Sequence, residues 1–247
     1  ELEALATKAT TIAGYTFIAE ETQTQLTTAA TNATSAANAL KNGEFAKDMT
    51  AEIAALIETA GYVTTADGFS NNAVYTFLSN RNAEAYMMYD GTNNFVASKY
   101  MQTGLEVGSD VKNCQWAVYK SVEGNYYMYN LGAGKFMGTE NAANTGIPFS
   151  ATPQTTKLML KKSSVETHPI MISSNGGEGT VNHSAEGGFT NNHGIVNWAN
   201  NFGNTDDPGN VHRVAIVGEL DEATLGTIKG LVDAFEKGDI LKEFNEL

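Results

Sequence analysis

Between Phe189 and Asn210 the chain gathers planar amides and carboxylates around one indole. Asn191, Asn192, Asn197, Asn200, Asn201, Asp206, Asp207 and Asn210 accompany Trp198. Such residues suit a neutral sugar: the aromatic face covers the C–H side of the ring, and amides and carboxylates exchange hydrogen bonds with hydroxyls. Asn, Asp and Gly also build turns between strands, and Trp198 lies on a period-two run with Ile195 and Val196 that would equally half-bury it. The expected carbohydrate-binding residues are Trp198, Asn191, Asn192, Asn197, Asp206, Asp207 and Asn210.

Other chemistries are poorly supplied. His168, His183, His193 and His212 fall in the same third of the chain, but their spacing matches no zinc motif. The stretch Asn204–Asn210 has oxygen ligands near a Gly turn, as calcium loops do, without the alternating spacing or distal Glu of an EF-hand. Calcium near Asp206 and Asp207 stays open; no cofactor or metal is expected. There is no nucleophile elbow, phosphate loop, dinucleotide fingerprint or HExxH pair. Two carboxylates could be brought within glycosidase range, yet nothing nominates a pair, so the chain is expected not to be an enzyme. The one cysteine, Cys114, excludes an intramolecular disulfide and a Cys-based zinc site, and is expected to be a buried small hydrophobe.

Three regions must position these residues. Residues 1–66 lack Pro and read as a helical hairpin or bundle. Asp48 to Gly61 is its clearest helix, with Asp48 or Thr50 as cap, an Ile53, Leu56 and Ile57 stripe, and Gly61 as stop. Before it, Ala29, Ala33, Ala36, Ala37 and Leu40 recur at helical spacing, an apolar face of small residues that needs a neighbour to stay folded. Residues 67–220 switch to period two, with short apolar or aromatic runs separated by Asn, Gly and Asp turns; Pro148 and Pro169 mark strand starts or edges. Residues 221–247 read as a helix capped by Asp221 with a Leu225, Ile228, Leu231, Val232 and Phe235 stripe, and a shorter helix restarting at Gly238-Asp239 through Leu241 and Phe244.

The middle region repeats itself. SVEGNYYMYN (Ser121 to Asn130) and SVETHPIMIS (Ser164 to Ser173) match without gaps at Ser, Val, Glu and Met. A second register also aligns gap-free, Tyr86 to Ser98 on Tyr127 to Thr139, shifting one repeat by a strand. Either way, three rounds of four short strands predict a closed threefold all-β architecture.

NYYMYNLGAGKFMG, GIVNW and Gln115-Trp116 resemble β-trefoil domains of the ricin-B lectin type, whose closing Gln-x-Trp is here without its spacer. The resemblance implies a β-trefoil core that binds sugars at up to three related sites, in a module attached to secreted glycan-degrading enzymes or surface proteins. It also implies an Asp after the second strand of a working repeat. That neighbourhood holds Tyr89-Asp90 in the first repeat, Gly138-Thr139 in the second and Thr190-Asn191 in the third. The closing Trp is kept at Trp116 and replaced by Leu158 or Met159 and by His212. Repeat two therefore reads as scaffold, and repeat three keeps the most ligand groups.

The 247 residues are 42% hydrophobic and only 17% charged, with a net charge of −13 and 15 Lys plus Arg in no basic run. That balance disfavours nucleic acid and anionic membranes as partners, and no apolar stretch is long enough to span a bilayer. A polar, mostly uncharged surface suits a secreted, periplasmic or cell-surface domain meeting neutral ligands. Glu1, with neither initiator Met nor leader, suggests a mature or excised fragment. The leading expectation is a non-catalytic, lectin-like carbohydrate-binding module. The alternative is a structural or protein-interaction domain without sugar binding, docking to neighbouring domains through its helices; a hydrolase is third.

Overall fold

The computed structural model describes residues 1–154, 158–199 and 201–245, with the final helix described by backbone alone beyond Gly238. It divides into two compact units, Glu1–Tyr62 and Val63–Leu247.

The first unit is a three-helix bundle: α1 (Leu2–Ala13), α2 (Glu20–Lys41) and α3 (Thr50–Gly61). The N-cap of α3 is Met49, whose side chain makes no capping bond, rather than Asp48 or Thr50; Asp48, one position earlier, accepts the Thr50 N–H at 2.9 Å. Leu2, Ala6, Ala9 and Ile12 of α1 pack with Leu26, Ala30, Ala33 and Ala37 of α2 and with Ile53 and Ile57 of α3. The alanine face thus finds its neighbours, and its small side chains let the helices approach closely.

In the second unit, β1 (Tyr62–Val63) crosses the unit boundary, and three rounds of strands follow. The first is β2 (Ala73–Ser79), β3 (Met87–Tyr89), β4 (Val96–Ser98) and β5 (Trp116–Lys120). The second is β6 (Tyr126–Asn130), β7 (Lys135–Met137), β8 (Thr145–Gly146) with β9 (Phe149–Ser150), and β10 (Met159–Lys162). The third is β11 (Ile170–Ser173), β12 (Thr180–His183), β13 (Ile195–Trp198) and β14 (Val211–Glu219). The outer strands of each round form a ring. β2 pairs with β5 and β5 with β6. Tyr126 of β6 bridges to Leu158 beside β10, which pairs with β11. β11 pairs with β14, and β14 returns to β2. The inner strands form hairpins β3–β4, β7–β9 and β12–β13. Bridges Phe95 to Pro148 and Ala97 to Gly194, with the β8–β13 pairing, knit those hairpins together. A six-stranded barrel capped by three hairpins, among the described residues, is a β-trefoil.

Pairing also decides the register. Ser121–Asn130 and Ser164–Ser173 each lead into the first strand of a round, so Met128 of β6 and Met171 of β11 are equivalent and both buried. The other alignment sets the β3–β4 hairpin on β6–β7, a similarity of strand–turn–strand form alone. Trp116 is fully buried and donates its indole N–H to the Met87 carbonyl at 2.8 Å. Cys114 is buried in a cluster with Met88 and Ala97.

The last helix, α4, runs unbroken from Glu222 to Asn245, which corrects the restart expected at Gly238-Asp239. A glycine inside a helix costs about 1 kcal/mol, less than a packed helix gains. Asp221 caps it, accepting from Thr224 N–H at 2.8 Å and Thr224 Oγ1 at 2.7 Å. Ile228 and Val232 bury against Val74, Ala117 and Tyr127 of the barrel. Leu241 and Phe244 lie among the side chains outside the description. No described helix is long and apolar enough to cross a membrane.

Candidate functional site

Hairpin β12–β13 sorts the third round's side chains into two faces, because directly opposed residues of antiparallel strands project to the same side. Thr180 lies opposite Trp198 and Asn182 opposite Val196; on the other face Val181 meets Asn197 and His183 meets Ile195. Trp198 is half-buried at the end of β13. Asn182, two residues and about 7 Å along the same face from Thr180, donates through Nδ2 to Asn210 Oδ1 at 2.7 Å and to Asp207 Oδ1 at 3.3 Å. Asp207 Oδ1 also faces Arg81 Nη2 at 3.4 Å and accepts the Gly209 N–H at 2.8 Å. The Arg81 and Asp207 side chains keep 26% and 16% of their surface in solvent. A β-carbon on Gly209 would stand 2.6 Å from Asn182 Nδ2 and 2.9 Å from Arg81 Nε, so any larger residue would have to displace those side chains. Two buried polar atoms on this face, Thr180 Oγ1 and Arg81 Nε, have no partner. Thr180 and Asn182 are themselves buried, so solvent reaches this side at the half-buried Trp198 indole, the Asp207 carboxylate and the Arg81 guanidinium, the groups able to meet a polyol.

The residues singled out from sequence separate accordingly. Trp198 and Asp207 belong to the face. Asn210 is fully buried behind it, accepting from Asn182 and donating to the Asn204 carbonyl at 3.2 Å. Asn197 is fully buried on the opposite side, where its side-chain Nδ2 donates to the Ala142 carbonyl at 3.3 Å and its backbone carbonyl accepts the Asn144 N–H at 2.8 Å. Both therefore serve the scaffold's own hydrogen bonding. Asn191 and Asn192 sit in the β12–β13 loop. Asn191 is exposed with φ of 50°, and Asn192 donates to the Glu186 carbonyl and accepts the Gly194 N–H. Asp206 is exposed in the following loop, Asn201 is half-buried, and Asn200 lies outside the described residues. Sequence reasoning passed over Thr180, Asn182, Gly209 and Arg81. Asn182 alternates with Thr180 in a period-two run, which was a usable signal; Arg81 stands 126 positions from Asp207 and gave none.

The acidic position after each second strand also needs correction for round three. Its second strand is β12, so the following residue is Ser184, not Thr190 or Asn191. In round one Asp90 is present but engaged: Oδ1 accepts the Thr92 and Asn93 N–H groups at 2.9 and 2.8 Å, and Oδ2 accepts Asn93 Nδ2 at 2.7 Å. Burial works against its ionisation, but these hydrogen bonds outweigh that and hold the carboxyl below its ordinary range.

Behind the face lies a second cluster. Ser98 Oγ is 2.8 Å from His183 Nδ1, and His183 Nε2 is 3.1 Å from His212 Nε2. A hydroxyl, an imidazole and an orienting partner are the parts of an activated nucleophile. All three side chains are completely buried, however, so the hydroxyl reaches no substrate. Burial holds the His183 imidazole well below its ordinary value and brings His212 to about 4. His193 stacks on Phe95 at 5.2 Å and His168 contacts Thr167. Among the described residues no three His, Cys, Asp or Glu side chains converge as metal ligands.

No family model matches the chain, and no curated protein does. Solved structures do. A GlcNAcα1-4Gal-releasing endo-β-galactosidase from Clostridium perfringens is similar over 60% of this chain and 33% of its own, with 12% identity and a TM-score of 0.43. A ricin B-like lectin from Macrolepiota procera, solved with lactose, is similar over 60% of this chain and 97% of its own, with 14% identity and a TM-score of 0.43. The Rhizoctonia solani agglutinin covers 59% of this chain and 95% of its own, with 12% identity and a TM-score of 0.42. The trefoil rests on its strand pairing, independently of these likenesses.

Proposed function

We propose that the trefoil is a non-catalytic, lectin-like module that binds neutral glycans on the outer face of hairpin β12–β13, as part of a larger secreted or surface protein. The carrying observation is that the half-buried indole of Trp198 and the partly exposed Asp207 and Arg81 side chains flank hairpin β12–β13, with buried Asn182 donating to the Asp207 carboxylate. The indole supplies an apolar platform for a sugar's C–H face. The Arg81–Asp207 pair presents a donor and an acceptor with opposed charges, which favours a neutral polyol over an anion. The sparse charge of the surface supports the same ligand class and the secreted or surface setting.

Glycan-array screening followed by calorimetry tests this reading. Trp198→Ala is expected to weaken binding about tenfold, the equivalent of roughly 1.4 kcal/mol, and Asp207→Asn to weaken it by a smaller factor. Asn191→Ala should bind as wild type. Absence of binding to any glycan, or a Trp198→Ala protein as good as wild type, would exclude this site.

A further inference from the structure

Beneath the candidate face lies a joint that glycan binding leaves unused. His183 of β12 and His212 of β14 meet Nε2 to Nε2 at 3.1 Å, fully buried. A neutral imidazole carries one ring proton, so this contact is a hydrogen bond only while one Nε2 donates and the other accepts. Ser98 Oγ on β4 can donate to or accept from His183 Nδ1, and so serves either tautomer. The joint fastens the strands that shape the face. Asn182 precedes His183, Asn210 lies two residues before His212, and the His183 N–H donates to the Gly209 carbonyl at 2.9 Å.

We propose that the His183–His212 pair is an acid-sensitive latch, which when neutral holds β12, β14 and the Asn182–Asp207–Arg81 face in place and on proton uptake parts and opens that face. The gated ligand rests on the glycan reading; the opening itself does not.

Proton accounting supports the latch. If His212 gains a proton on Nε2, His183 must carry its own on Nδ1 and Ser98 must turn to accept. A second proton places N–H on both facing nitrogens, and the contact becomes repulsive. The surroundings offer little compensation even for the first. Arg81, from the turn after β2, and His168, from the turn before β11, both oppose added positive charge. Arg213, beside His212 on β14, acts in the same sense on His168. Asp207, the carboxylate on the face, is paired with Arg81. Phe77 packs its ring against His212 without a counter-charge, and the Ile170 backbone is the one group that favours the charged form. Burial, the largest influence, holds both rings below their ordinary 6.5. The closed pair therefore refuses protons that an opened pair would take. Protection is complete above pH 6.5 and is lost as the pH falls toward 4.

Hydrogen exchange on the full chain, corrected for intrinsic rates and run from about pH 7.5 to about pH 5, reads the latch directly. The opening constant at Val181–His183 and Val211–Val214 should rise about tenfold per pH unit below 6.5 for each proton taken up. Protection at Ala117–Tyr119 and Tyr127–Tyr129 should stay constant. His212→Gln should lower that slope by one proton's worth, and wild-type glycan affinity should fall over the same range. Parallel loss at both places, or loss at neither, overturns the latch. If His212→Gln fails to fold, ring-nitrogen NMR of the wild type decides: a ring protonated in place with protection intact overturns it. Loosening of the hairpin with unchanged affinity overturns the gating. Absence of any glycan ligand counts against the binding reading alone, and the exchange result still judges the latch.

Discussion

Gly209 shows how much of the candidate face depends on one missing methyl group. A β-carbon there would meet the ends of Asn182 and Arg81, which are side chains able to yield rather than rigid backbone. Gly209→Ala should therefore lower stability by only about 1 kcal/mol while pushing Arg81 from Asp207; chemical denaturation and a glycan titration would separate the two effects. Large destabilisation with unchanged binding would mean that the network supports the fold alone. The singled-out residues were legible in type but not in direction. Asn197 and Trp198 are adjacent in sequence, yet a strand sends them to opposite faces, so one is sealed in and the other half open. Composition finds a polar cluster; only pairing shows which members look outward. Arg81 joins by folding alone, because the turn that carries it is brought to Asp207 when β14 pairs with β2.

Among the elements, α4 is tied to the trefoil by more than its apolar stripe. Glu236 Oε1 accepts from Ser121 Oγ at 2.7 Å, Asn125 Nδ2 at 3.0 Å and the Tyr127 hydroxyl at 3.0 Å. Glu236→Ala leaves those donors to solvent and should cost roughly 1.5–3 kcal/mol, the range for hydrogen bonds to a charged group. Faster hydrogen exchange at Leu225–Phe235, with exchange in α1–α3 unchanged, would confirm undocking, whereas unchanged exchange would make the contact dispensable. The Leu225–Phe235 stripe was visible as a 3.6 period, and so was the Asp221 cap. The unbroken passage through Gly238 was not, because helix continuity there is decided by propagation along the chain rather than by the local residue. Period-two runs gave the strands. Their closure into a barrel came from the repeat, since no single run states its partner.

At the scale of the whole molecule, each of the two units has its own core. The bundle core is built largely from alanine around Leu26, Ile53 and Ile57, whereas the barrel holds Trp116, Phe77, Phe136 and Met128. Burying less area per residue gives less stability, so calorimetry should resolve two transitions with the bundle melting first. Leu26→Ala, which removes a fully buried side chain, should cost about 2–5 kcal/mol and shift the lower transition alone. A single transition that moves as one would contradict separate cores. The threefold architecture was readable because three rounds repeat a cadence, while the placing of the polar residues was not, because each round spends them differently. Round one commits Asp90 to a turn, round two has Gly138 at that place, and round three has the buried Ser184.

The two tryptophans lie in contrasting surroundings, and the bundle contains none. Trp116 is sealed in the barrel, while Trp198 stands half in water beside Asn182 and Thr180. Optically, the chain carries its own pair of probes. Acrylamide should quench the red-shifted emission of Trp198 first and leave the blue emission of Trp116, so the candidate face and the barrel interior can be followed separately in an unlabelled protein.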